Sequence, residues 1–596
     1  MIEWLSYDEN SFKKAELEDK PVFLHITARW CNYCKKMEEH CLHNPEIVEL
    51  INQNFIPVHL DRDERPDIDS IYQKASYIIG QGSGWPLTLF LTPEGKPFSG
   101  LNYRVDKSEN YFKTMIEKAL ELYKTNKDKV LQRSQTIIDA IKPVEVVPSE
   151  IREDLLQNPE EDIVKEIDFE FGGLKKIPKF PIYSHIDLLL WRYWIKPKPW
   201  VLNAIEKTLK GMVHSAIYDC VEGGFHRYAV DKAWLMPHFE KLAIDNAWHL
   251  MNYLDAYNIL KEPFYLDIAY EIIEFMKNNF LSQEGYFYSS QFADSFYYTW
   301  SEEELKEISD MTIALVSTDA MVDGRFIVVG RDRELVKQLK DKLIFKRKQK
   351  QTPDIDKSVY CSVNGLCADT FIKAWRVIKD KNLLNYALSA IDKTLTVLFI
   401  NKMLYRKRGV VALLEDYSYM ISALISAYEV TTNRDYLDKA ITLTELSIDK
   451  LWDEKYGGFF DSPEFILSIR QKNIHDTPYP SPNSIMIINL LKLYAITKDE
   501  KFENMATFAL KAMSNLASAY LSPYYVKALL SYFDMLTLNF YTSVNSDVGK
   551  ATLYQVSPFT VIVHKEEDRG YIIPSLGPKY FEPISTPEEL AKFLRL

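Results

Sequence analysis

A short turn recurs along most of this chain and limits what it can fold into. Gly172-Gly173-Leu174, Gly223-Gly224-Phe225, Gly285-Tyr286-Phe287 and Gly457-Gly458-Phe459 each follow a helical stretch. The first two intervals, roughly 50 and 60 residues, fit one helical hairpin per repeat. The glycines allow a sharp turn, and the apolar residue behind them can cover a core. Amphipathic windows run from Asp245 to Leu260, Tyr265 to Asn278, Leu366 to Ile378, Asp416 to Val430, Tyr436 to Leu451 and Ser484 to Ile496. Stacked hairpins make an open solenoid or a closed ring. Aromatic-rich turns at one end favour the ring, an all-α (α/α) toroid of six or seven hairpins over residues 161–540.

Residues 1–125 follow another pattern. Strand-like runs from Pro21 to Ile26, Phe55 to Leu60 and Trp85 to Leu91 alternate with helical stretches, the first from Lys35 to about Gln53. A turn at Thr92-Pro93-Glu94-Gly95-Lys96 leads to a hairpin partner, and a helix from Tyr111 to Tyr123 closes a small α/β domain. Cys31-Asn32-Tyr33-Cys34 lies between the first strand and the first helix. Free N–H groups at a helix start favour a thiolate, and the spacing lets a second thiol resolve a mixed disulfide. Cys31 is therefore read as nucleophile and Cys34 as resolving thiol. Trp85-Pro86 stands where thioredoxin-like folds place a cis-proline facing this motif. A zinc site would draw on His25, His40, Cys41 and His43 as well; the redox reading is preferred, with no metal or cofactor assigned. Cys41 reads as a buried small hydrophobe.

At 596 residues the chain is too long for one ordinary core. Residues 126–160 read as a helix and connector. The last segment, 541–596, holds the strand-like run from Phe559 to Val563 and reads as a small β extension. A net charge of -12 gives no basis for holding nucleic acid or an anionic membrane, and the basic run Lys346-Arg347-Lys348 reads as a solvated face. No secretory signal or membrane span is seen, and six cysteines are too sparse for a disulfide scaffold. A cytoplasmic protein is expected.

Several motifs resemble the spermatogenesis-associated protein 20 family, with its YyaL-type bacterial and archaeal members. In the first domain these are Glu18 to Leu24, Cys31 to Met37, Asp61 to Asp69 (DRDERPDID) and Gly84 to Pro93. In the helical part they are Pro178-Lys179-Phe180-Pro181, Gly223 to Tyr228, Pro237 to Lys241, Asp245-Asn246, Ala293-Asp294-Ser295, Asn364-Gly365-Leu366 and Glu415-Asp416-Tyr417. Asn32, Val363 and Pro482 depart from the family pattern. The resemblance implies a thioredoxin-like domain joined to a toroid similar to the N-acylglucosamine 2-epimerase and six-hairpin glycosidase group.

His226, Arg227, Tyr228, Asp231, Trp234, His238, Glu240, Asp245 and Asn246 are dense in chemistry, and Asp294 and Asp416 add carboxylates. A sugar site needs aromatic platforms with carboxylates or histidines for proton transfer. The same residues could instead pin loops through hydrogen bonds. Three functions follow: a thiol–disulfide or redox-regulatory protein acting on a protein partner through Cys31, Cys34 and Pro86; a carbohydrate-active enzyme with a small carbohydrate-like ligand in the toroid; or a non-catalytic binding scaffold.

Overall fold

The computed structural model of the protein describes residues 1–103, 107–143, 145–554 and 560–594. Two units separate: Met1–Glu145 with Ser462–Gln471, and Val146–Asp461 with Lys472–Leu596.

The first unit is the expected thioredoxin-like α/β domain. Its elements are β1 (Leu5–Ser6), α1 (Glu9–Glu18), β2 (Val22–Thr27), α2 (Asn32–Met37), α3 (Pro45–Asn54), β3 (Ile56–Asp61), α4 (Pro66–Ile79), β4 (Leu87–Leu91), β5 (Pro97–Asn102), α5 (Glu109–Thr125) and α6 (Lys127–Ile141). The sheet order is β1-β3-β2-β4-β5. β1, β3 and β2 run parallel, and β4 and β5 are antiparallel. Strand alternation explains why β2 reads as one apolar run. Val22, Leu24 and Ile26 enter one buried cluster with Ile68, Ile71 and Ile138. Phe23 enters another with Ile47, Phe55 and Ile116.

The single helix expected from Lys35 to Gln53 is three pieces. After α2 comes a π-helical turn, Glu38–Leu42. Asn44 then caps α3, its Oδ1 accepting from the N–H groups of Glu46 (2.9 Å) and Ile47 (3.3 Å), with Pro45 at the first position. Ser462–Gln471 returns to this unit from far along the sequence. Ile466 and Ile469 join the cluster of Val22 and Leu24, Ser462 Oγ donates to Asp67 Oδ2 (2.9 Å), and Arg65 pairs with Glu464 (2.7 Å).

The second unit closes a ring of six inner helices: Tyr183–Ile195, Ala243–Leu260, Cys361–Ile378, Leu414–Thr431, Pro482–Thr497 and Pro523–Asp534. Each packs on the next, and the sixth packs back on the first. The first five are backed by the helix that follows in sequence. Position is written in burial: fifteen of eighteen residues are buried in the inner helix Leu414–Thr431 but seven of eighteen in its outer partner Arg434–Leu451. Polar side chains pair between neighbouring inner helices, with Lys527 on Asp187 (2.7 Å), Lys373 on Asp255, and Arg376 on Glu429 (2.7 Å). A four-stranded sheet follows the sixth inner helix. Its Leu536–Tyr541 strand pairs with Thr560–His564 and Tyr571–Leu576. Phe559, in the expected strand, lies outside the described residues. Ile562 N–H donates to Glu429 Oε1 (3.3 Å), tying this sheet to the fourth inner helix.

The recurring turns have one construction. Asp168, Asp219 and Asp453 each stand four residues before a glycine pair, and the first glycine's N–H donates to that aspartate's carbonyl at 2.7–2.8 Å. A lysine from beyond the turn pairs with the same carboxylate: Lys179 with Asp168, Lys241 with Asp219, Lys472 with Asp453. Gly223 has φ +84°, and a Cβ there would stand 2.6 Å from the Glu271 carbonyl oxygen, so only glycine fits. An asparagine on the next inner helix then clamps the aromatic residue. Asn246, Asn364 and Asn483 each accept from the N–H of Phe225, Phe287 or Phe459 (2.7–2.8 Å) and donate to the same residue's carbonyl (2.9–3.2 Å).

The basic run is a correction. Arg347 is 2% exposed and donates to both oxygens of Asp219 (2.8 Å each) and to Glu222 (3.2 Å). A carboxylate pair compensates its burial, as a buried cation requires.

Asn364→Ala removes the partner of both backbone groups of Phe287, at a cost of about 1–3 kcal/mol. The expected outcome is a thermal midpoint lowered by several degrees. An unchanged midpoint in a melting experiment would show that these bonds do not hold the turn.

Candidate functional site

The Cys31–Cys34 motif follows directly from the end of β2. Cys31 is the N-cap of α2, and its Sγ accepts from the Cys34 N–H at 3.2 Å. The same sulfur lies 3.6 Å from the Trp85 carbonyl oxygen, to which its thiol donates. The Trp85–Pro86 bond is cis. Both cysteines are 7% exposed. Burial and the neighbouring Cys31 push the Cys34 thiol well above its ordinary range, and the Asp61 carboxylate adds to the rise.

The DRDERPDID stretch builds the surroundings. Trp30 Nε1 donates to Asp63 Oδ2 (2.7 Å), and Trp85 Nε1 donates to Asp69 Oδ1 (3.0 Å). The two indoles meet edge to face with centroids 5.7 Å apart, and the Arg62 guanidinium lies 4.9 Å from the Trp85 ring. Asp61 ends β3, where Arg29 Nε donates to its Oδ2 (3.1 Å) and the Asp63 N–H to its Oδ1 (2.8 Å). Burial, with Asp63 beside it, pushes the Asp61 carboxyl up to about 7. The sequence offered these residues only as a signature. The available signal was an aspartate closing the strand that pairs with β2, next to the cysteine turn.

The alternative zinc ligands are dispersed. His25 sits between Thr88 (3.1 Å) and the stacked Trp4 ring, and burial pushes it down to about 3. Cys41 lies in the cluster of Met37 and Phe23, and burial pushes it up to about 11. His40 and His43 are exposed. Among the described residues no three His, Cys, Asp or Glu side chains group as a metal ion would need.

In the second unit, five of the singled-out residues come together. Tyr228 O–H and His238 Nε2 are 3.0 Å apart, and His238 Nδ1 is 3.7 Å from Glu240. Arg227 is 4.0 Å from Glu240. Asp245, near the start of the second inner helix, accepts from Tyr183 O–H (3.1 Å) and Tyr479 O–H (2.8 Å) on Oδ1. Burial pushes Asp245 up to about 6, against the pull of Arg227. Phe180 stacks on Tyr228 at 4.6 Å, with Arg227 over both rings. Tyr183, Tyr479 and Phe180 were not singled out for this site, because they come from segments distant in sequence.

The remaining residues do other work. His226 faces the Phe239 carbonyl (3.1 Å) and Tyr298, and burial holds it far below the ordinary histidine range. Asp231 accepts from the N–H groups of Ala233, Leu235 and Met236 and shapes their turn. Trp234 is buried at that turn and donates to the Phe171 carbonyl (3.2 Å). Asp294 caps the short helix Ser295–Tyr298. Asp416 accepts from the Ser362 and Leu413 N–H groups (2.9 Å each) and pairs with Arg406 (3.3 Å). Asn246 is a turn clamp.

A family model described as "Protein of unknown function, DUF255" (Thioredox_DsbH) matches residues 1–142. Human spermatogenesis-associated protein 20 is 27% identical over 603 residues, spanning 86% of this chain and 76% of that protein. An uncharacterized Caenorhabditis elegans protein is 26% identical, spanning 86% and 80%. Among solved structures, cellobiose 2-epimerase from Bacillus thermoamylovorans B4167 matches 63% of this chain and 97% of its own, with 12% identity and a TM-score of 0.43. That likeness is too loose to speak for an activity. Among the described residues no helix is long and apolar enough to cross a membrane.

Asp61 gives a pH signature. Folded, it keeps its proton up to about pH 7; its ordinary value is 3.8. Between those values the folded state holds the extra proton, so stability falls as pH rises through the window. The midpoint of Asp61→Asn relative to the parent should therefore rise between about pH 4 and pH 8. Melting both proteins across that range checks it, and a flat or falling difference contradicts the assignment.

Proposed function

We propose that this chain, a relative of spermatogenesis-associated protein 20, is a thiol–disulfide oxidoreductase whose working pair is Cys31 and Cys34. One observation carries the reading. Cys31 Sγ accepts from the Cys34 N–H and faces the carbonyl that precedes Pro86. That proximity supports reading Cys31 as the nucleophile, Cys34 as its resolving thiol and the Trp85 carbonyl as a backbone edge for a substrate.

The Cys31 thiolate attacks a partner's disulfide, forming a mixed disulfide and releasing one partner thiolate. Cys34 then loses its proton and attacks the Cys31 sulfur. The second partner thiolate leaves, and a Cys31–Cys34 disulfide remains. Two electrons pass from the pair to the partner, and both released thiolates take up protons. Asp61 is the acceptor for the Cys34 proton, since its charge already bears on that thiol. Pro86 positions the edge and carries no proton. The same reading sets the chain in the cytoplasm, where a reducing pool can recharge the pair.

A second reading gives the ring a small-molecule site at the cluster of Arg227, Tyr228, His238, Glu240 and Asp245. The observation favouring it is Asp245 Oδ2, which is buried without a hydrogen-bond partner among the described residues. Buried polar atoms are otherwise nearly always paired.

Alkylation trapping across redox buffers tests the first reading. The expected result is a reversible two-electron transition between about -270 and -120 mV. Cys34→Ser should accumulate a mixed disulfide with a model disulfide substrate, and Cys31→Ser should form none. A pair that does not cycle reversibly removes the oxidoreductase reading.

A further inference from the structure

We propose that the cluster around Asp245 binds a neutral polyhydroxylated ligand, a sugar or polyol without phosphate or carboxylate. This rests on the second reading above and goes further by naming the ligand's chemistry.

Charge is the first argument. The charged groups gathered here are Arg227, Glu240 and Asp245, with His238 beside them. Glu240 already lies against Arg227, and Asp245 feels the same cation. A phosphate or carboxylate would have to displace Glu240 from Arg227 and would face Asp245. A cation would enter against Arg227. A hydroxyl carries no charge and both donates and accepts, so it matches a wall that offers carboxyl acceptors beside guanidinium and phenol donors.

Shape and pairing are independent of charge. The half-buried Phe180 and Tyr228 rings stack, with His238 on the other side of Tyr228 (centroids 4.6 and 4.2 Å), an aromatic group of the kind the C–H side of a sugar ring packs on. Asp245 is 1% exposed. Its Oδ1 takes two phenol hydrogen bonds, while Oδ2 has none. One turn further along the same helix, His249 is buried with neither ring nitrogen paired. Asp245 Oδ2 is therefore a buried acceptor available to a ligand hydroxyl.

The test is ligand-dependent melting of the full chain. D-glucose, D-mannose and cellobiose are compared with glucose 6-phosphate and mannose 6-phosphate, for the parent, Asp245→Asn, Tyr228→Ala and Cys31→Ser. A ligand that binds the native state raises the midpoint with concentration. The expected result is a saturable rise with one or more neutral sugars, reduced at least tenfold in apparent affinity by Asp245→Asn and by Tyr228→Ala and kept by Cys31→Ser. Tyr228→Ala changes a half-buried side chain and decides the matter should Asp245→Asn fail to fold. A rise with phosphorylated sugars alone, lost in the same variants, overturns the ligand class and leaves the ring site standing. A rise that both variants retain overturns the location. No rise with any probe removes both the ligand class and the second reading.

Discussion

The side-chain amide of an asparagine holds three of the four recurring turns of the ring. Asn246, Asn364 and Asn483 project from the first turn of an inner helix or just past it and offer a phenylalanine the donor and acceptor that a neighbouring strand would give. With its backbone satisfied, the phenylalanine can be buried at the join between a turn and a helix. The glycine pair before it fits under the outer helix because it has no side chain, as the approach of Gly223 to Glu271 makes plain.

Much of this was legible in the sequence, and for physical reasons. Helical periodicity located the inner helices from Asp245 and Asp416 to within two residues, since their outer partners share the same rhythm. The cysteine turn announced itself by spacing and by the strand before it. The clamp was less legible: Asn246 looked like site chemistry because a sequence does not say which way an amide points. The aspartate four residues before each glycine pair was in plain view but has meaning only once its lysine partner, eleven to twenty-two residues on, folds back. Arg347 misled in the opposite direction. Its neighbours Lys346 and Lys348 are on the surface side of the helix end, while the distant Asp219 and Glu222 draw Arg347 inward.

The two candidate sites use buried carboxyl groups in different ways. Asp61 is raised beside another acid and close to a thiol, so its proton is exchangeable near neutrality. Asp245 is raised by burial while two phenols and a guanidinium pull it back. Asp416 is fully buried too, yet its backbone and arginine partners leave it only a structural part. Burial alone does not separate a site carboxylate from a structural one.

The late segment Ser462–Gln471 has a consequence for synthesis. Ile466 and Ile469 complete a core whose other members, from Ala15 to Ile141, leave the ribosome much earlier. At about 5–20 residues per second, the roughly 300 intervening residues take some tens of seconds to emerge. For that time the nascent first unit lacks the two isoleucines that complete this apolar cluster. A chaperone has that interval in which to hold it, and a transcript cut short before residue 471 yields a unit that never seals.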